Sequence, residues 1–148
     1  MMSPDSWRIP MAFHPYLFFG GNCRDAFTRY HEIFGGNLEL LTTEDMPTDE
    51  QMPGAENMIM HAALMIDGQL LMGSDDPTTD SFGPVQGMQV NYSCTDVADA
   101  KRVFAALAAG GNALVPIGPS SWSPAFGMCV DCFGTPWMIM VEAPVPQG

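Results

Sequence analysis

Basic side chains are scarce in this chain. Five Lys and Arg stand against 17 Asp and Glu, giving a formal net charge of −12 over 148 residues. The five are Arg8, Arg24, Arg29, Lys101 and Arg102. Nucleic acid is a poor partner for such a chain, because phosphate contacts need clustered Lys and Arg. Anionic membrane surfaces are excluded on the same ground. Long apolar runs are also missing: none reaches the roughly 18 residues that mark a membrane helix. Met1 to Pro10 has one Arg and no apolar core. It reads as a loose tail and not as a secretory signal, with Met11 a second candidate start. The expected compartment is the cytoplasm, where the four cysteines stay reduced. Cys129-Val130-Asp131-Cys132 is the one CxxC spacing, and Cys23 and Cys94 supply no second pair for a zinc site. The pair sits in a strand-like stretch, whereas a redox CxxC needs its first Cys at a helix N-terminus. These thiols read as buried or half-buried structural groups.

Hydrophobic residues make up 47% of the chain, enough for one ordinary folded domain. An internal repeat organises it. Asp25-Ala26, Tyr30 and Gly35-Gly36-Asn37 are echoed by Asp99-Ala100, Phe104 and Gly110-Gly111-Asn112. The offset is about 74 to 75 residues, half the chain. Each half opens with a short β-favouring run, His14 to Phe19 and Met88 to Cys94. A helix follows each. Asn22 is the expected cap of the first, with Ala26, Phe27, Tyr30, Ile33 and Phe34 as its apolar stripe. Thr95 or Asp96 caps the second, with Val97, Ala100, Val103, Phe104 and Leu107 as its stripe. Gly35 and Gly110 are positioned to stop the two helices. Three strands complete each half: Asn37–Thr43, Met58–Ile66 and Gln69–Ser74, then Asn112–Gly118, Ala125–Asp131 and Thr135–Glu142. Asp67-Gly68 is a hairpin signal. The plan is α+β, βαβββ twice: module one over residues 13–75, module two over 87–143, with residues 1–12 and 144–148 as tails. The loops Glu44–Asn57 and Asp75–Gln86 are rich in Pro, Gly, Asp and Thr, and the second links the modules.

Several segments carry a family resemblance. They are Pro15-Tyr16-Leu17-Phe18-Phe19-Gly20-Gly21-Asn22-Cys23, Met60-His61-Ala62 and Leu71-Met72-Gly73-Ser74-Asp75. Near the end come Trp122, Ala125-Phe126-Gly127, Asp131, Phe133-Gly134 and Pro136-Trp137-Met138-Ile139. In order and spacing the chain resembles the PhnB-like branch of the vicinal-oxygen-chelate superfamily, which includes glyoxalases, bleomycin-resistance proteins and dioxygenases. The resemblance implies a glyoxalase/bleomycin-resistance-like fold, with the modules forming a curled mixed sheet shaped as a cup. It also implies a homodimer. Metal-dependent relatives place His, Glu or Gln ligands on the first and fourth strands of each module. A demethylubiquinone methyltransferase label is also used in the family, but no glycine-rich cofactor loop opening a helix after a strand is evident.

Carried onto this chain, the ligand positions fall on His14 and Gln89, which are competent donors, and on Met72 and Met138. Thioethers suit copper(I) and not zinc, nickel, manganese or iron(II). A divalent metal at His14 and Gln89 therefore has only half of its expected ligands. Strand alternation aims Tyr16 and Phe18 the same way as His14, and Asn91 and Ser93 the same way as Gln89. The expected ligand-binding set is His14, Tyr16, Phe18, His61, Met72, Gln89, Asn91, Trp122 and Met138. Bland readings stand beside it. The methionines also serve as core filler, and His61 as a structural hydrogen-bonding group. Trp122 stacks on a ligand or on a dimer partner. Asp75, Asp76 and Asp131 read as turn or capping residues. Two functions follow. One is a protein that binds a small apolar or cationic molecule in a Met- and aromatic-lined cup, with no cofactor. The other is a metal-dependent lyase, isomerase or dioxygenase.

Overall fold

The computed structural model describes residues 11–78 and 85–142. Residues 1–10 and 144–148 of the expected tails, residue 143 at the end of module two and residues 79–84 of the linking loop lie outside the described residues. Each half folds as βαβββ: β1 (Tyr16–Phe19), α1 (Cys23–Phe34), β2 (Asn37–Thr42), β3 (Ile59–Ile66) and β4 (Gln69–Asp75), then β5 (Val90–Cys94), α2 (Val97–Ala108), β6 (Asn112–Gly118), β7 (Phe126–Val130) and β8 (Pro136–Val141). Two four-stranded sheets result, ordered β1-β4-β3-β2 and β5-β8-β7-β6. In each, the first strand pairs parallel with the last and the remaining pairs are antiparallel. Thus β1 and β5 are both edge strands, and among the described residues no ladder joins one sheet to the other.

The helices form where the apolar stripes predict. Cys23, Ala26, Phe27, Tyr30 and Ile33 are buried on α1, and Ala100, Val103, Phe104 and Leu107 on α2. Each large apolar side chain buried this way contributes about 1.5–3 kcal/mol. The repeated Gly-Gly-Asn has a physical cause. Gly35 and Gly110 take φ of +74° and +75° just past the helices, a conformation that costs glycine little. The next residues, Gly36 and Gly111, lie so near the carbonyl oxygens of Met65 and Val130 that a Cβ would not fit.

Capping differs from expectation at α1. The Asn22 side chain makes no cap hydrogen bond. Instead Asp75, from the end of β4, accepts from the N–H groups of Gly21 (2.9 Å), Cys23 (3.0 Å) and, with its other oxygen, Ile59 (2.9 Å). Asp75 is therefore a buried strand residue that caps a helix 52 positions away, and not a turn residue. In α2 the cap is Asp96, whose carboxylate accepts from Ala98 N–H at 3.0 Å.

The modules meet through their helices. Arg29 on α1 donates to the carbonyl of Ala106 on α2, and Arg102 on α2 donates to the carbonyl of Ile33 on α1. Tyr30 and Phe34 of α1 reach Trp137 of β8, and Phe34 also reaches Tyr92 of β5. A buried carboxylate locks this joint. Asp131 accepts from Tyr30 Oη (2.6 Å), Trp137 Nε1 (2.8 Å), Phe133 N–H (2.9 Å) and Thr135 N–H (3.0 Å). Asp131 does sit in the turn after β7, but its bonds reach across both modules.

Candidate ligand-binding site

Strand alternation sorts the side chains. In the first sheet Leu17, Phe19, Ala62, Leu64 and Leu71 belong to the core under α1. The opposite face carries Tyr16 and Phe18 from β1, Met72 from β4, His61, Ala63 and Met65 from β3, and Glu39 and Leu41 from β2. Tyr16 and Phe18 remain 39% and 57% exposed. In the second sheet Val90, Tyr92, Cys94, Trp137, Ile139, Val141 and Cys129 join the core. The opposite face carries Asn91, Ser93, Met138, Met140, Met128 and Phe126.

Two clefts run where the free edges of β1 and β5 approach one another. The first, about 670 Å³, is bounded by Pro15 to Gly20 on one side and by Met88, Gln89, Val90 and Pro136 on the other. The second, about 580 Å³, lies between Leu70 and Leu71 on β4 and Asn91, Ser93 and Cys94 on β5. Both volumes suit small molecules, whose sites are concave and mostly apolar.

The residues singled out from the sequence fall as follows. Tyr16, Phe18, His61 and Met72 share one open sheet face. Tyr16 Oη lies 3.2 Å from His61 Nδ1, a contact across 45 positions that settles which face His61 occupies. Asn91 and Met138 are direct cross-strand partners on the second sheet. Asn91 is held by its own sheet, its Nδ2 donating to Ser93 Oγ at 2.8 Å. Trp122 is 60% exposed and packs edge-on against Phe126, at a centroid distance of 5.2 Å. That places it beside the second open face. His14 and Gln89 precede β1 and β5, and His14 is exposed. His31 is exposed on α1 and meets the Gly36 carbonyl. Strand alternation already aims Met140 the same way as Met138, but the sequence reading gave no site role to Phe126 or Met128, although their period-two spacing carried the signal.

The side chains present do not fit the divalent metal centre that the superfamily implies. In strand register Met72 lies opposite Tyr16, and Met138 opposite Asn91. His14 and Gln89 each lie two residues before those partners. Two thioethers at these positions are soft, neutral donors. Among the described residues no three His, Cys, Asp or Glu side chains come together as a metal-holding group. The cationic side chains also stand apart. Arg24 and Arg29 lie on α1, and Lys101 and Arg102 on α2. No helix of the described residues is long and apolar enough to cross a membrane.

The thiols behave as separate groups, all four free. Burial, with a smaller contribution from the Asp75 carboxylate, pushes Cys23 up to about 12, and burial pushes Cys129 up to about 11. Neither is a nucleophile near neutral pH, because the thiolate is the reactive form. Cys132 is exposed. Brief iodoacetamide treatment of the native protein at neutral pH is expected to label Cys132 while Cys23 and Cys129 label only after unfolding. Peptide mass mapping checks this, and early native labelling of Cys23 would contradict the packing around α1.

Comparison with known proteins gives a consistent picture. Residues 11–140 match the family profile described as 3-demethylubiquinone-9 3-methyltransferase. Protein YjdN of Escherichia coli K12 is 31% identical over 92% of this chain and 99% of its own length. The crystal structure of protein PA1353 from Pseudomonas aeruginosa superposes with a TM-score of 0.82 at 39% identity, covering 90% of this chain and 98% of that one. A Bacillus cereus structure described as a putative 3-demethylubiquinone-9 3-methyltransferase, PhnB protein, has a TM-score of 0.73 at 26% identity, over 89% of this chain and 100% of that one. A Burkholderia phytofirmans protein described as a glyoxalase/bleomycin resistance protein/dioxygenase family enzyme shares the fold, with a TM-score of 0.60 at 10% identity. It covers 88% of this chain and 97% of that one.

Proposed function

We propose, starting from the fact that this chain belongs to the 3-demethylubiquinone-9 3-methyltransferase (PhnB-like) family, that it binds a small apolar or cationic molecule against its Met- and aromatic-lined sheet faces. The observation that carries this is the chemistry of those faces. Tyr16, Phe18 and Met72 on one sheet and Met138, Met140, Met128 and Phe126 on the other leave ring faces and thioethers outside the core. Aromatic faces stack on planar molecules, and methionine adapts its shape to them. A large acidic excess favours a neutral or cationic guest over an anionic one. The acting unit in this reading is a homodimer, working in the cytoplasm without a metal.

Methyl transfer, the activity in the family's name, is not part of the reading. β1 does run through Gly20-Gly21 into α1, the place where a dinucleotide- or nucleoside-type cofactor loop would open a helix. The Asp75 carboxylate already takes the N–H groups of Gly21 and Cys23 there. A metal-dependent lyase, isomerase or dioxygenase would need hard donors where Met72 and Met138 stand.

The test is a thermal-shift panel of aromatic and cationic compounds, followed by calorimetry on the hits. A saturable hit is expected to weaken by about 2–10-fold in Phe18→Ala, the range of a lost aromatic contact. Hits with unchanged affinity in Phe18→Ala and in Met138→Ala would remove these faces as the binding site.

A further inference from the structure

We propose that the Tyr16–His61 couple recognises the hydroxyl of a neutral hydroxyaromatic ligand whose ring lies against Tyr16, Phe18 and Met72. The inference rests on the small-molecule-binding reading and names the ligand class for it. Three observations carry it.

The first is the couple itself. Tyr16 Oη and His61 Nδ1 lie 3.2 Å apart on a sheet face where Tyr16, Phe18, Leu41 and Met65 are all exposed. Suppose Tyr16 donates to Nδ1. Then Nε2 carries the imidazole proton as a donor, and the phenol oxygen keeps a lone pair. Suppose instead that Nδ1 carries the proton and donates to the phenol oxygen. Then the phenol O–H is free to donate, and Nε2 accepts. Either tautomer leaves one donor and one acceptor for a guest. A hydroxyl is the group that both gives and takes a hydrogen bond, so one hydroxyl answers both tautomers. An ether or a carbonyl accepts only.

The second is the ring arrangement around the couple. The Tyr16 ring lies 5.2 Å from that of Phe18 and 5.7 Å from that of His61, centroid to centroid. Across the strands the row Tyr16–Met72–Ala63 is low, with a thioether and a methyl group beside the rings. A flat ring has a wall of three rings and a small floor. No Lys or Arg of the described chain lies on a strand, so nothing there selects an anion.

The third is the contrast between the modules. Tyr16–Met72–Ala63 in the first sheet corresponds to Asn91–Met138–Met128 in the second. His61, two residues before Ala63, then corresponds to Phe126, two residues before Met128. At the same fold positions the second module has an amide and a phenyl ring, and its amide is engaged by Ser93. The hydroxyl–imidazole couple is confined to one of two duplicated faces. A general packing need of the fold would have placed it on both.

The experiment uses the full-length protein and three matched probes: naphthalene, 2-naphthol and 2-methoxynaphthalene. Calorimetry gives the affinities for wild type and for Tyr16→Phe, which keeps the ring and removes only the hydroxyl. Wild type is expected to bind 2-naphthol about tenfold more tightly than the other two, the scale of a hydrogen-bonded pair in a partly dry site. Tyr16→Phe should cut that preference to about twofold, read as the ratio of 2-naphthol to naphthalene affinity. His61→Gln, which retains one donor and one acceptor, should keep part of it. Imidazole ¹⁵N shifts of His61 should move with 2-naphthol and not with naphthalene. Equal binding of all three probes by wild type would overturn this inference and leave the binding reading standing. An equal loss of all three in Tyr16→Phe would overturn it too, since the hydroxyl would then only shape the surface. If none of the three binds, the small-molecule reading itself fails for aromatic guests, and this inference falls with it.

Discussion

Asp131→Ala is expected to destabilise the protein by about 3–5 kcal/mol, the scale for removing one partner from a buried charged network. The carboxylate accepts four hydrogen bonds, from Tyr30 Oη, Trp137 Nε1 and the N–H groups of Phe133 and Thr135. Alanine leaves the buried donors of Trp137 Nε1 and Thr135 N–H, and the part-buried N–H of Phe133, without this acceptor. Only Tyr30 keeps a second partner, the Thr135 hydroxyl at 3.0 Å. Each orphaned buried donor costs about 1–3 kcal/mol. A single domain has on the order of 5–15 kcal/mol in total, so this one change removes a large share. Tyr30→Phe separates the parts. It deletes the bond between modules and leaves the turn bonds, so its cost is expected near 1–2 kcal/mol. Burial holds the Tyr30 hydroxyl far above the ordinary phenol range, with the Asp131 charge adding to it, so the proton that bridges the modules is never lost at usable pH. Urea unfolding of both variants checks the pair. Asp131→Ala within about 0.5 kcal/mol of wild type, the range of an ordinary surface change, would show that the joint does not depend on this carboxylate. There is a functional corollary. Asp131 anchors Trp137, whose chain neighbour Met138 lies on the open face of the second sheet, so the variant should loosen that face as well.

Asp75→Ala is expected to cost about 3 kcal/mol, from a lost helix cap, an unpaired buried N–H at Ile59 and a part-buried one at Gly21. The carboxylate ties three separate places together: the Gly20-Gly21 turn, the first turn of α1 and the start of β3. The damage should be local before it is global. Amide exchange at Gly21, Cys23 and Ile59 is expected to speed up first, while the second module keeps its protection. Cys23 gives a second readout. Its thiol is held high first by burial and then by the Asp75 charge. Removing that charge and opening the helix end should make Cys23 label faster in the native state. Unchanged exchange and unchanged labelling would mean that the cap is not what closes this corner.

These two carboxylates also mark the limit of what the sequence could tell. The repeat was legible because its cause is local. A glycine just past each helix takes positive φ, and the next one yields space to a neighbouring carbonyl, so Gly35-Gly36-Asn37 and Gly110-Gly111-Asn112 recur at a fixed distance. The helical stripes were legible for the same reason, and so was the order of βαβββ modules. Asp75 and Asp131 were read only as turn or capping groups, since their partners lie up to 54 and 101 positions away. Asn22 looked like a cap because it stands where a cap belongs, yet its side chain makes no cap bond, and a carboxylate distant in sequence takes the N–H groups of Gly21 and Cys23 on either side of it. The reciprocal reach of Arg29 and Arg102 onto the opposite helix was hidden likewise, with separations of 77 and 69. At the candidate site, alternation was enough to group Tyr16 with Phe18. It could not bring His61 to Tyr16, because a residue-spacing rule says nothing about which strands become neighbours. It also treated His14 and Gln89 as strand residues. Pro15 lacks the N–H that a ladder uses, and the pairing begins at Tyr16 and Val90.

The central claim is that this chain keeps the fold of a metal-binding superfamily but presents a greasy, neutral surface where the metal would sit. Metal content of the purified protein by plasma mass spectrometry addresses it most directly, joined to thermal shifts with Ni²⁺, Zn²⁺, Mn²⁺ and Fe²⁺. The account predicts substoichiometric metal and no stabilising shift, in wild type and in His14→Ala alike. Near-stoichiometric metal that disappears in His14→Ala would contradict it, and would place the chemistry at His14 and Gln89 in spite of Met72 and Met138.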